Sequence, residues 1–492
     1  MRSWPVRPET TGFFGHRRDG ASLVATPQLG DRTQRNCRSG RSAATLYSAT
    51  RPRGAVPHPP RPIPNGGDLP MKLSRKLTMV TAALLSLSLL AAACGDDADK
   101  AVTDDAFIVV DEGEEIQIRS LNAITGDVAF LGIPNQNAVM AAIADYGDIE
   151  GFSVSMGQGL DDLCSADGGQ AAAQTIVADA QIVGVIGTSC SGAATAAAPL
   201  ISEAGIVMIS GSNTSPALTS DLLGTAGDNY HPGYYRTAHN DLYQGAAMAA
   251  FVYGELGMTT AAAIHDGDPY TEGLASAFTN AFEELGGTVT GFTAVAKEDT
   301  DMVPVLTEIA AGSPEALFFP IFQPAGDFIA EQAPGVSGLE NTQLLAADGL
   351  LNTDYLALSQ SEGMYFSGPD VRFGTNTNQG TGKSAAEVLE DYEANHGEAP
   401  SAPFWGHSYD ATAILLEAIE NNASVNDAGQ LVIDKAGIRS YITALRDYSG
   451  LIGTLNCDDF GDCGSQKITV VHHTDSSMVD AGMSNVVFSY AP

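Results

Sequence analysis

The stretch VIGTSCSGAATAAAP, residues 185–199, places Cys190 between Ser189 and Ser191, after a run of β-forming residues and before an alanine-rich segment. A cysteine in this position could be a nucleophile, a metal ligand or a disulfide partner. A serine that opens a helix could hold an anion, because the first turn presents unpaired backbone amides and a partial positive charge. The residue types and their spacing therefore indicate either nucleophilic chemistry or an anion site.

A second group of small polar residues, Ser212, Asn213 and Thr214, follows the next predicted strand in VMISGSNTSPALT. Ligands of open parallel sheets bind beyond the carboxyl ends of the strands. Hydroxyl groups together with free backbone amides suit a carboxylate. An ordinary N-cap or turn would explain either group alone, whereas two adjacent groups with the same chemistry favour a binding function.

Further along the chain, Asp266 and Tyr270 follow one predicted strand in AAIHDGDPYTEG, and Asp348 follows another in LLAADGLLN. An aspartate at such a position could pair with an ammonium group. The alternative is a helix cap, which places the same residue type at the same position.

The elements that must position these residues alternate from Ile116 onwards, with short β-forming runs followed by alanine-rich helical windows. This alternation predicts parallel sheets that are covered by helices on both faces. The helices after Pro369 have no strands of their own, so we place them on the first sheet. We therefore predict an α/β fold in which hinge strands join two doubly wound parallel-sheet lobes into a clamshell.

The predicted boundaries follow from this arrangement. Lobe 1 comprises residues 116–237 and 368–452, and lobe 2 comprises residues 238–367 and 453–492. The chain is expected to cross between the lobes near residues 236–239, 366–369 and 451–454.

The first 115 residues differ in composition from the rest of the chain. Residues 1–70 hold 11 arginines and a proline-rich end, which predicts disorder and a start assigned upstream of the true initiator, Met71.

Residues 71–93 have the layout of a secretory signal, with an apolar core too short to span a bilayer comfortably. The ending LAAAC resembles a bacterial lipobox, which implies that Cys94 is lipidated. Residues 94–115 are then expected to form a tether.

Charge excludes one class of function. Residues 1–94 hold 14 of the 24 basic residues and 4 of the 59 acidic ones, so the remainder carries 10 basic against 55 acidic residues. A net charge near −45 repels nucleic acid and anionic membranes. We therefore predict no nucleic-acid partner.

Export permits disulfides, and four cysteines remain after Cys37 and Cys94 are set aside. Four cysteines permit three pairings, and spacing favours Cys164 with Cys190 and Cys457 with Cys463. The turn CDDFGDC could instead be a calcium loop, but its aspartates do not follow the EF-hand spacing.

Patterns that would indicate an enzyme are incomplete. GTSCSG and GHSYD, which contains Ser408, both lack the last glycine of the GxSxG nucleophile elbow. Cys190 as a nucleophile would need a lowered pKa and a histidine partner, whereas an exported cysteine with a well-spaced mate is usually oxidised. His472 and His473 are adjacent, so on a strand they would face opposite sides. We predict no catalytic residue, no metal and no cofactor.

A wider pattern is formed by stretches that follow one another along the chain. They are ITGDVAFLG at Ile124, LDDLCSADGGQAA at Leu160, VIGTSCSGAAT at Val185, VMISGSNTSPALT at Val207, YYRTAHND at Tyr234, IHDGDPYTEGLA at Ile264 and GTLNCDDFGD at Gly453. Together they resemble the branched-chain amino-acid binding proteins, the type I periplasmic binding proteins that deliver ligands to ABC importers. The resemblance covers residues 116–474.

The resemblance implies roles for individual residues. Ser191 and Thr214 would hold the α-carboxylate of the ligand, with backbone help around Ser212, and Tyr270 would line the cleft. Asp348, where relatives often have glutamate, would pair with the α-ammonium. Apolar contacts would fall on Leu131, Phe322 and Phe404, and the disulfide of the family resembles a pairing of Cys164 with Cys190.

The sequence therefore predicts an exported solute-binding lipoprotein, held by Cys94 at the outer face of the cytoplasmic membrane or in the periplasm. Its expected ligand is a branched-chain or similar aliphatic amino acid, and its expected partners are the permease subunits of an ABC transporter. One alternative is a sensory clamshell for an amide or urea-type solute. Another is an exported hydrolase that uses a serine or cysteine with a histidine base.

Overall fold

The structure is a computed structural model that describes residues 106–492. The strands are β1 Phe107–Val110, β2 Ile116–Asn122, β3 Val154–Ser155, β4 Leu160–Asp161, β5 Ile182–Gly187, β6 Val207–Ser210, β7 Tyr234–Arg236, β8 Thr260–His265, β9 Thr288–Ala294, β10 Ala316–Phe318, β11 Gln343–Ala346, β12 Tyr365–Pro369, β13 Ala423–Val425, β14 Leu431–Asp434, β15 Tyr448–Gly450, β16 Gly453–Leu455, β17 Ile468–His472 and β18 Val486–Tyr490. The helices are α1 Ala129–Tyr146, α2 Ala166–Val177, α3 Ser191–Glu203, α4 Asp241–Ala250, α5 Pro269–Glu284, α6 Val303–Ala310, α7 Ala325–Gln332, α8 Thr353–Leu356, α9 Ala385–His396, α10 Trp405–Asn421, α11 Lys435–Thr443 and α12 Val479–Ser484.

The first large sheet has the strand order β3-β2-β5-β6-β7, with β4 also paired to β2, and these pairs are all parallel. Its strand β5, IVGVIG, is buried along its whole length, as expected for a strand covered on both faces. One hydrophobic cluster joins this sheet to α1, α10 and α11, and a separate cluster joins it to α2 and α3. The helices α9 to α11 thus lie in sequence between β12 and β17, two strands of the second sheet, while α10 and α11 pack on the first.

The second large sheet has the order β18-β17-β12-β11-β10-β8-β9. Strands β8 to β12 are parallel, whereas β17 runs antiparallel to β12 and β18 antiparallel to β17. Along β8, Ala261 and Ala263 belong to one hydrophobic cluster, and Ala262 and Ile264 belong to another. This alternation is expected for a strand covered on both faces.

The predicted α/β fold with two parallel sheets covered by helices is confirmed, and the second sheet additionally carries the antiparallel strands β17 and β18 at one edge. Within residues 106–492 the chain passes between the sheets after β7, after β12 and after β16. The lobe boundaries at residues 237, 367 and 452 stay a prediction. In the same part of the chain, no helix is long and apolar enough to cross a membrane.

The predicted tether, residues 94–115, is wrong for its described part. Strand β1 pairs antiparallel with β14, and β14 pairs with β13, so that a small sheet begins before Ile116. Ile108 and Val110 are buried while Phe107 and Val109 face outwards. This run of four residues is too short for a periodic pattern to stand out in an acidic segment. The predictions for residues 1–70 and 71–93 and for the lipidation of Cys94 lie outside the described residues.

Candidate functional site

The loop between β5 and α3 is held by a buried aspartate and a disulfide. Cys190 is the N-cap residue of α3, and its disulfide to Cys164 joins this loop to the one before α2. Asp162 accepts hydrogen bonds from the backbone amides of Cys164 at 2.7 Å and of Ser189 at 2.6 Å. Burial raises the pKa of this carboxyl group to about 7. The loop that precedes Ser191 is therefore fixed from one side.

Ser189, which has no role from the sequence, connects this loop to the end of β2. Its hydroxyl group donates to Oδ1 of Asn122 at 3.0 Å and accepts from the amide of Ala123 at 3.1 Å. Its carbonyl accepts from the hydroxyl group of Ser212 at 3.0 Å. One serine thus joins the ends of three neighbouring strands.

The structure brings the two predicted polar groups together. The hydroxyl group of Ser191 accepts from the amide of Ser215 at 3.3 Å, and Thr188 donates from Oγ1 to Oδ1 of Asn213 at 3.1 Å. The loop after β6 is turned by Ser210, whose Oγ accepts from the amides of Ser212 at 3.2 Å and Asn213 at 2.9 Å. The ends of β5 and β6 therefore form one polar surface.

Several buried polar atoms on this surface have no partner among residues 106–492. They are Nδ2 of Asn213 and Oδ1 of Asn135, and beside them Oγ1 of Thr214 and the carboxylate of Asp241 have only each other. The backbone amide of Asp241 donates to the carbonyl of Thr214 at 3.0 Å, so the two residues are neighbours. Native proteins leave few buried polar groups unpaired. Such a concentration indicates a place that a ligand completes.

Asp348 belongs to the second sheet's side of the site and lies just beyond the end of β11. Its Oδ1 accepts from Nε2 of Gln244 at 2.5 Å, and Oε1 of Gln244 lies 2.5 Å from Nε2 of His239. Gln244 lies one turn after Asp241 on α4, so both side chains occupy the same helix face. The amide of Gly349 donates to the hydroxyl group of Tyr270 at 3.2 Å. Helix α4 thus joins the two halves of the site.

Burial controls the charges in this region. It raises the pKa of Asp348 to about 6. The pKa of Asp241 is raised well above its usual value by burial, and the neighbouring charge of Asp348 adds to the effect. Burial also lowers the pKa of His239 to about 4, so this histidine is neutral near pH 7. With its proton on Nε2, His239 donates a hydrogen bond to Oε1 of Gln244. This bond orients the Gln244 amide so that its NH₂ group points toward Asp348.

The predicted apolar residues Leu131, Phe322 and Phe404 belong to one buried cluster with Tyr270 and Cys190. The rings of Tyr270 and Phe322 have centroids 5.2 Å apart. Phe404 stacks on the ring of His239 at 6.0 Å. All the predicted ligand-binding residues are at most 9% exposed, so the site is closed to solvent.

The starts of α3 and α5 meet above this cluster. A Cβ atom on Gly192 would lie 2.5 Å from Oδ2 of Asp268, so only glycine fits there without a shift. Asp268 is the N-cap of α5, accepts from the amide of Tyr270 at 3.0 Å and pairs with Lys297 at 2.9 Å. Its side chain is therefore held in place against α3.

A cleft of about 430 Å³ reaches the edge of the buried site, because Phe322 and Cys164 line it. A neighbouring cleft of about 900 Å³ is lined by Asp127, Asp327, Asp354 and other polar residues. Neither cleft is lined by Ser191, Thr214 or Asp348, which are buried behind them.

The second disulfide joins Cys457 and Cys463, as spacing predicted. Within this loop Asp458 accepts from the amides of Phe460 at 2.8 Å and Asp462 at 2.9 Å. Asp462 itself pairs with Arg236 at 2.5 Å. Protein groups therefore engage the carboxylates of Asp458 and Asp462, whereas Asp459 is exposed.

Ser408, the serine of the hydrolase alternative, is buried in α10. A Cβ atom on Gly211 would lie 2.1 Å from its Oγ, so this hydroxyl group packs against the backbone of the first sheet. Within the described part of the chain, no hydrogen bond joins Ser408 to a histidine. The geometry does not assemble a nucleophile with its base.

Sequence reasoning missed Asp241, Gln244 and His239. They lie in or next to YYRTAHND, but Asn240 and Asp241 have the appearance of an ordinary helix start. Asn240 does cap α4 by accepting from the amide of Leu242 at 3.0 Å. Only the position of Asp241 beside Thr214 indicates its role, and this position follows from the pairing of β7 with β6, which the sequence alone does not give.

A sequence model of the family described as "Periplasmic binding protein" matches residues 115–472 of this chain. Leu/Ile/Val-binding protein homolog 3 of Brucella melitensis is 26% identical over 373 residues, which are 74% of this chain and 93% of that protein. The Leu/Ile/Val-binding protein of Escherichia coli (strain K12) is 24% identical over 385 residues, 76% of this chain and 96% of that protein.

Solved structures share the fold. The leucine binding protein LivK of Thermotoga maritima superposes with a TM-score of 0.65 at 24% identity, covering 77% of this chain and 99% of that one. A solute binding protein of an ABC transporter from R. palustris, in complex with benzoate, gives a TM-score of 0.60 at 17% identity, covering 77% and 97%.

Proposed function

The chain belongs to the periplasmic binding protein family of exported solute-binding proteins, and from that premise we propose that it captures an aliphatic amino acid for an ABC importer. Ser191, Thr214 and the first turn of α3 bind the carboxylate of the ligand. Asp348 accepts its ammonium group, and Leu131 and Phe404 contact its side chain. Lipidation at Cys94 holds the protein at the membrane.

One observation carries this proposal: unpaired buried polar atoms lie beside buried aspartates. Nδ2 of Asn213 and Oδ1 of Asn135 have no partner among residues 106–492, and the side chains of the neighbours Thr214 and Asp241 have only each other. An unsatisfied buried donor or acceptor costs about 1–3 kcal/mol. A ligand that supplies the missing partners therefore gains affinity from groups that the protein leaves open.

The two carboxyl groups favour a ligand that has a cationic end. Asp241 and Asp348 are both buried, and the charge of Asp348 raises the pKa of Asp241. An ammonium group placed between the sheets stabilises the charged form of an aspartate. A benzoate anion, the ligand named for one structural relative, has no group that could do so. The chemistry therefore supports a zwitterionic amino acid.

Closure follows from the positions of the binding groups. Ser191 and Thr214 belong to the first sheet, whereas Asp348 and Tyr270 belong to the second. A ligand that contacts both sets stabilises the arrangement in which they face each other. The closed protein then presents a defined surface from both lobes to the permease.

A thermal-shift screen tests the proposal, because a ligand that binds only the folded state raises its melting temperature. The panel contains leucine, isoleucine, valine, alanine, acetamide, urea and benzoate. Leucine is expected to stabilise the protein by about 2.7 kcal/mol at a concentration of about 100 times Kd. The matched control is 4-methylpentanoate, which is leucine without its ammonium group. No shift with any amino acid, or an equal shift with 4-methylpentanoate, would overturn the proposal.

A further inference from the structure

Arg236, the last residue of β7, has a fully buried guanidinium group that holds the loop after β6. Its Nη1 donates to the carbonyl of Ser215 at 2.8 Å and, more weakly, to that of Asn213 at 3.4 Å. Its Nη2 donates to Oγ1 of Thr219 at 2.6 Å. The carbonyls of residues 213 and 215 flank Thr214, so the guanidinium fixes the backbone on both sides of this residue.

The Nε donor of Arg236 meets Asp462, a residue of the loop that Cys457 and Cys463 close. Nε donates to Oδ1 of Asp462 at 2.5 Å, and Asp462 is only 3% exposed. Its other oxygen accepts from Nδ2 of Asn240 at 3.2 Å. A buried guanidinium needs such a partner, because an unpaired charge is strongly disfavoured in the interior.

The disulfide loop is also attached to the backbone of β7. The amide of Arg236 donates to the carbonyl of Gly461 at 2.9 Å, and the amide of Cys463 donates to the carbonyl of Arg236 at 3.0 Å. Gly461 has a φ of +92°, and a Cβ atom there would lie 2.3 Å from the carbonyl oxygen of Tyr234. The loop therefore approaches β7 as closely as the backbone allows and places Asp462 beside the guanidinium.

We propose that the loop from Cys457 to Cys463 is a positioning element for the ligand loop, residues 212–215. Asp462 neutralises and orients Arg236, and Arg236 holds the carbonyls on either side of Thr214. Arg236 and Asp462 are positioning residues, since neither is placed against the ligand. Only the expected effect of this loop on ligand affinity rests on the proposed function. Its effect on the conformation of residues 212–215 can be measured without a ligand.

Hydrogen exchange of the full chain, followed by mass spectrometry, tests the positioning role. In ligand-free Asp462→Asn, the peptide that covers residues 211–219 is expected to lose most of its protection from exchange, because the loop is open for most of the time. The matched control is Asp459→Asn, which removes the same charge from an exposed residue of the same loop. Equal exchange of this peptide in the two variants overturns the proposal.

A second variant keeps the test decisive if Asp462→Asn does not fold. The double variant Cys457→Ser, Cys463→Ser removes the disulfide that closes the loop and leaves both Arg236 and Asp462 in the chain. The same peptide is expected to exchange about tenfold faster in the double variant. Exchange at the rate of the parent protein would show that the closed loop does not position residues 212–215.

Calorimetry with leucine measures the functional consequence. If the ordered loop is populated for about a tenth of the time, the apparent Kd rises about tenfold in Asp462→Asn. The Kd of Asp459→Asn is expected to equal that of the parent. An unchanged Kd in a folded Asp462→Asn protein overturns the positioning role. Absence of leucine binding in the parent would instead contradict the proposed function, and the exchange experiment would still decide the positioning role.

Discussion

At the scale of single residues, the chemistry of the proposed site depends on Asp348 and its support. Gln244 donates to one oxygen of this carboxylate, and His239 fixes the orientation of the Gln244 amide. The hydroxyl group of Tyr270 also forms a hydrogen bond with this carboxylate. Asp348 therefore lies at the end of a chain of hydrogen bonds that begins at His239, whose ring stacks on that of Phe404.

Replacing Asp348 by asparagine tests its role directly. The variant keeps the shape of the side chain but removes the charge that pairs with the ammonium group. Affinity for leucine is expected to fall about 100-fold, since loss of one partner of a buried charge pair costs about 2–5 kcal/mol. Titration calorimetry measures the change. Asp354→Asn, which changes an exposed residue of the cleft of about 900 Å³, is the control and should bind like the parent.

The affinity should also depend on pH. The pKa of Asp348 is raised to about 6 by burial, and only the ionised form pairs with an ammonium group. Binding is therefore complete above this pKa and is lost as the pH falls through it, with a Kd about tenfold higher at about pH 5 than at about pH 7.5. Calorimetry at the two pH values checks this. The Asp348→Asn variant should lose most of the pH dependence, and an equally steep profile in that variant would assign the titration to another group.

At the scale of elements, the order of strands and helices could be predicted because each strand is a short β-forming run and each helix is rich in alanine. The start of α3 at Ser191 and the loop after β6 were therefore foreseen as a joint polar surface. Asp241 could not be foreseen, since only the parallel pairing of β6 with β7 places it beside Thr214. The contact of Arg236 with Asp462 spans 226 positions of sequence, which no local pattern reports.

Helices α3 and α5 meet at Gly192, so Gly192→Ala should oppose closure. The added methyl group would lie 2.5 Å from Oδ2 of Asp268, which Lys297 and the amide of Tyr270 hold in place. We expect a Kd for leucine about tenfold higher, with stability of the ligand-free protein unchanged or slightly raised by alanine's helix propensity. Calorimetry and thermal melting measure the two quantities.

The control for this substitution is Gly273→Ala in α5, where the nearest atom would lie at an ordinary 3.5 Å. It should leave the affinity unchanged. If both alanine variants lowered affinity equally, the contact between α3 and Asp268 would not be the cause.

The disulfide between Cys164 and Cys190 fixes α2 and the start of α3. Replacing both cysteines by serine should lower the free energy of unfolding by about 3.5 kcal/mol, because the loop closed by a sequence separation of 26 residues is released in the unfolded chain. Chemical denaturation measures this loss. The pair Cys457–Cys463 closes a separation of only 6 residues, so the corresponding double variant should lose less. An equal loss would contradict the loop-length explanation.

At the scale of the whole molecule, the dominant feature beyond the fold is charge. The sequence after residue 94 carries 10 basic and 55 acidic residues. Several of the basic residues are already engaged in ion pairs, including Arg236 with Asp462 and Lys297 with Asp268. Little positive charge remains to balance the acidic surface, and repulsion within the folded state follows.

Salt should therefore stabilise the protein. Screening shortens the Debye length from about 30 Å at 0.01 M to about 8 Å at 0.15 M ionic strength. Over this range the melting temperature is expected to rise by about 5 °C, because repulsion in the compact state weakens more than in the expanded chain. Calorimetric scans in sodium chloride and in potassium chloride should give the same rise. A melting temperature that does not change with either salt would contradict this account.

The three passages of the chain between the sheets have a mechanical consequence. The end of β7 and the segment after β16 are hydrogen-bonded to each other through Arg236 and Gly461, and Pro369 at the end of β12 pairs with Ile468 at the start of β17. Connections that lie side by side resist sliding and twisting of one sheet past the other. They leave one easy degree of freedom, a rotation about the line through the connections. A single distance measured between the two sheets would then describe the whole rotation.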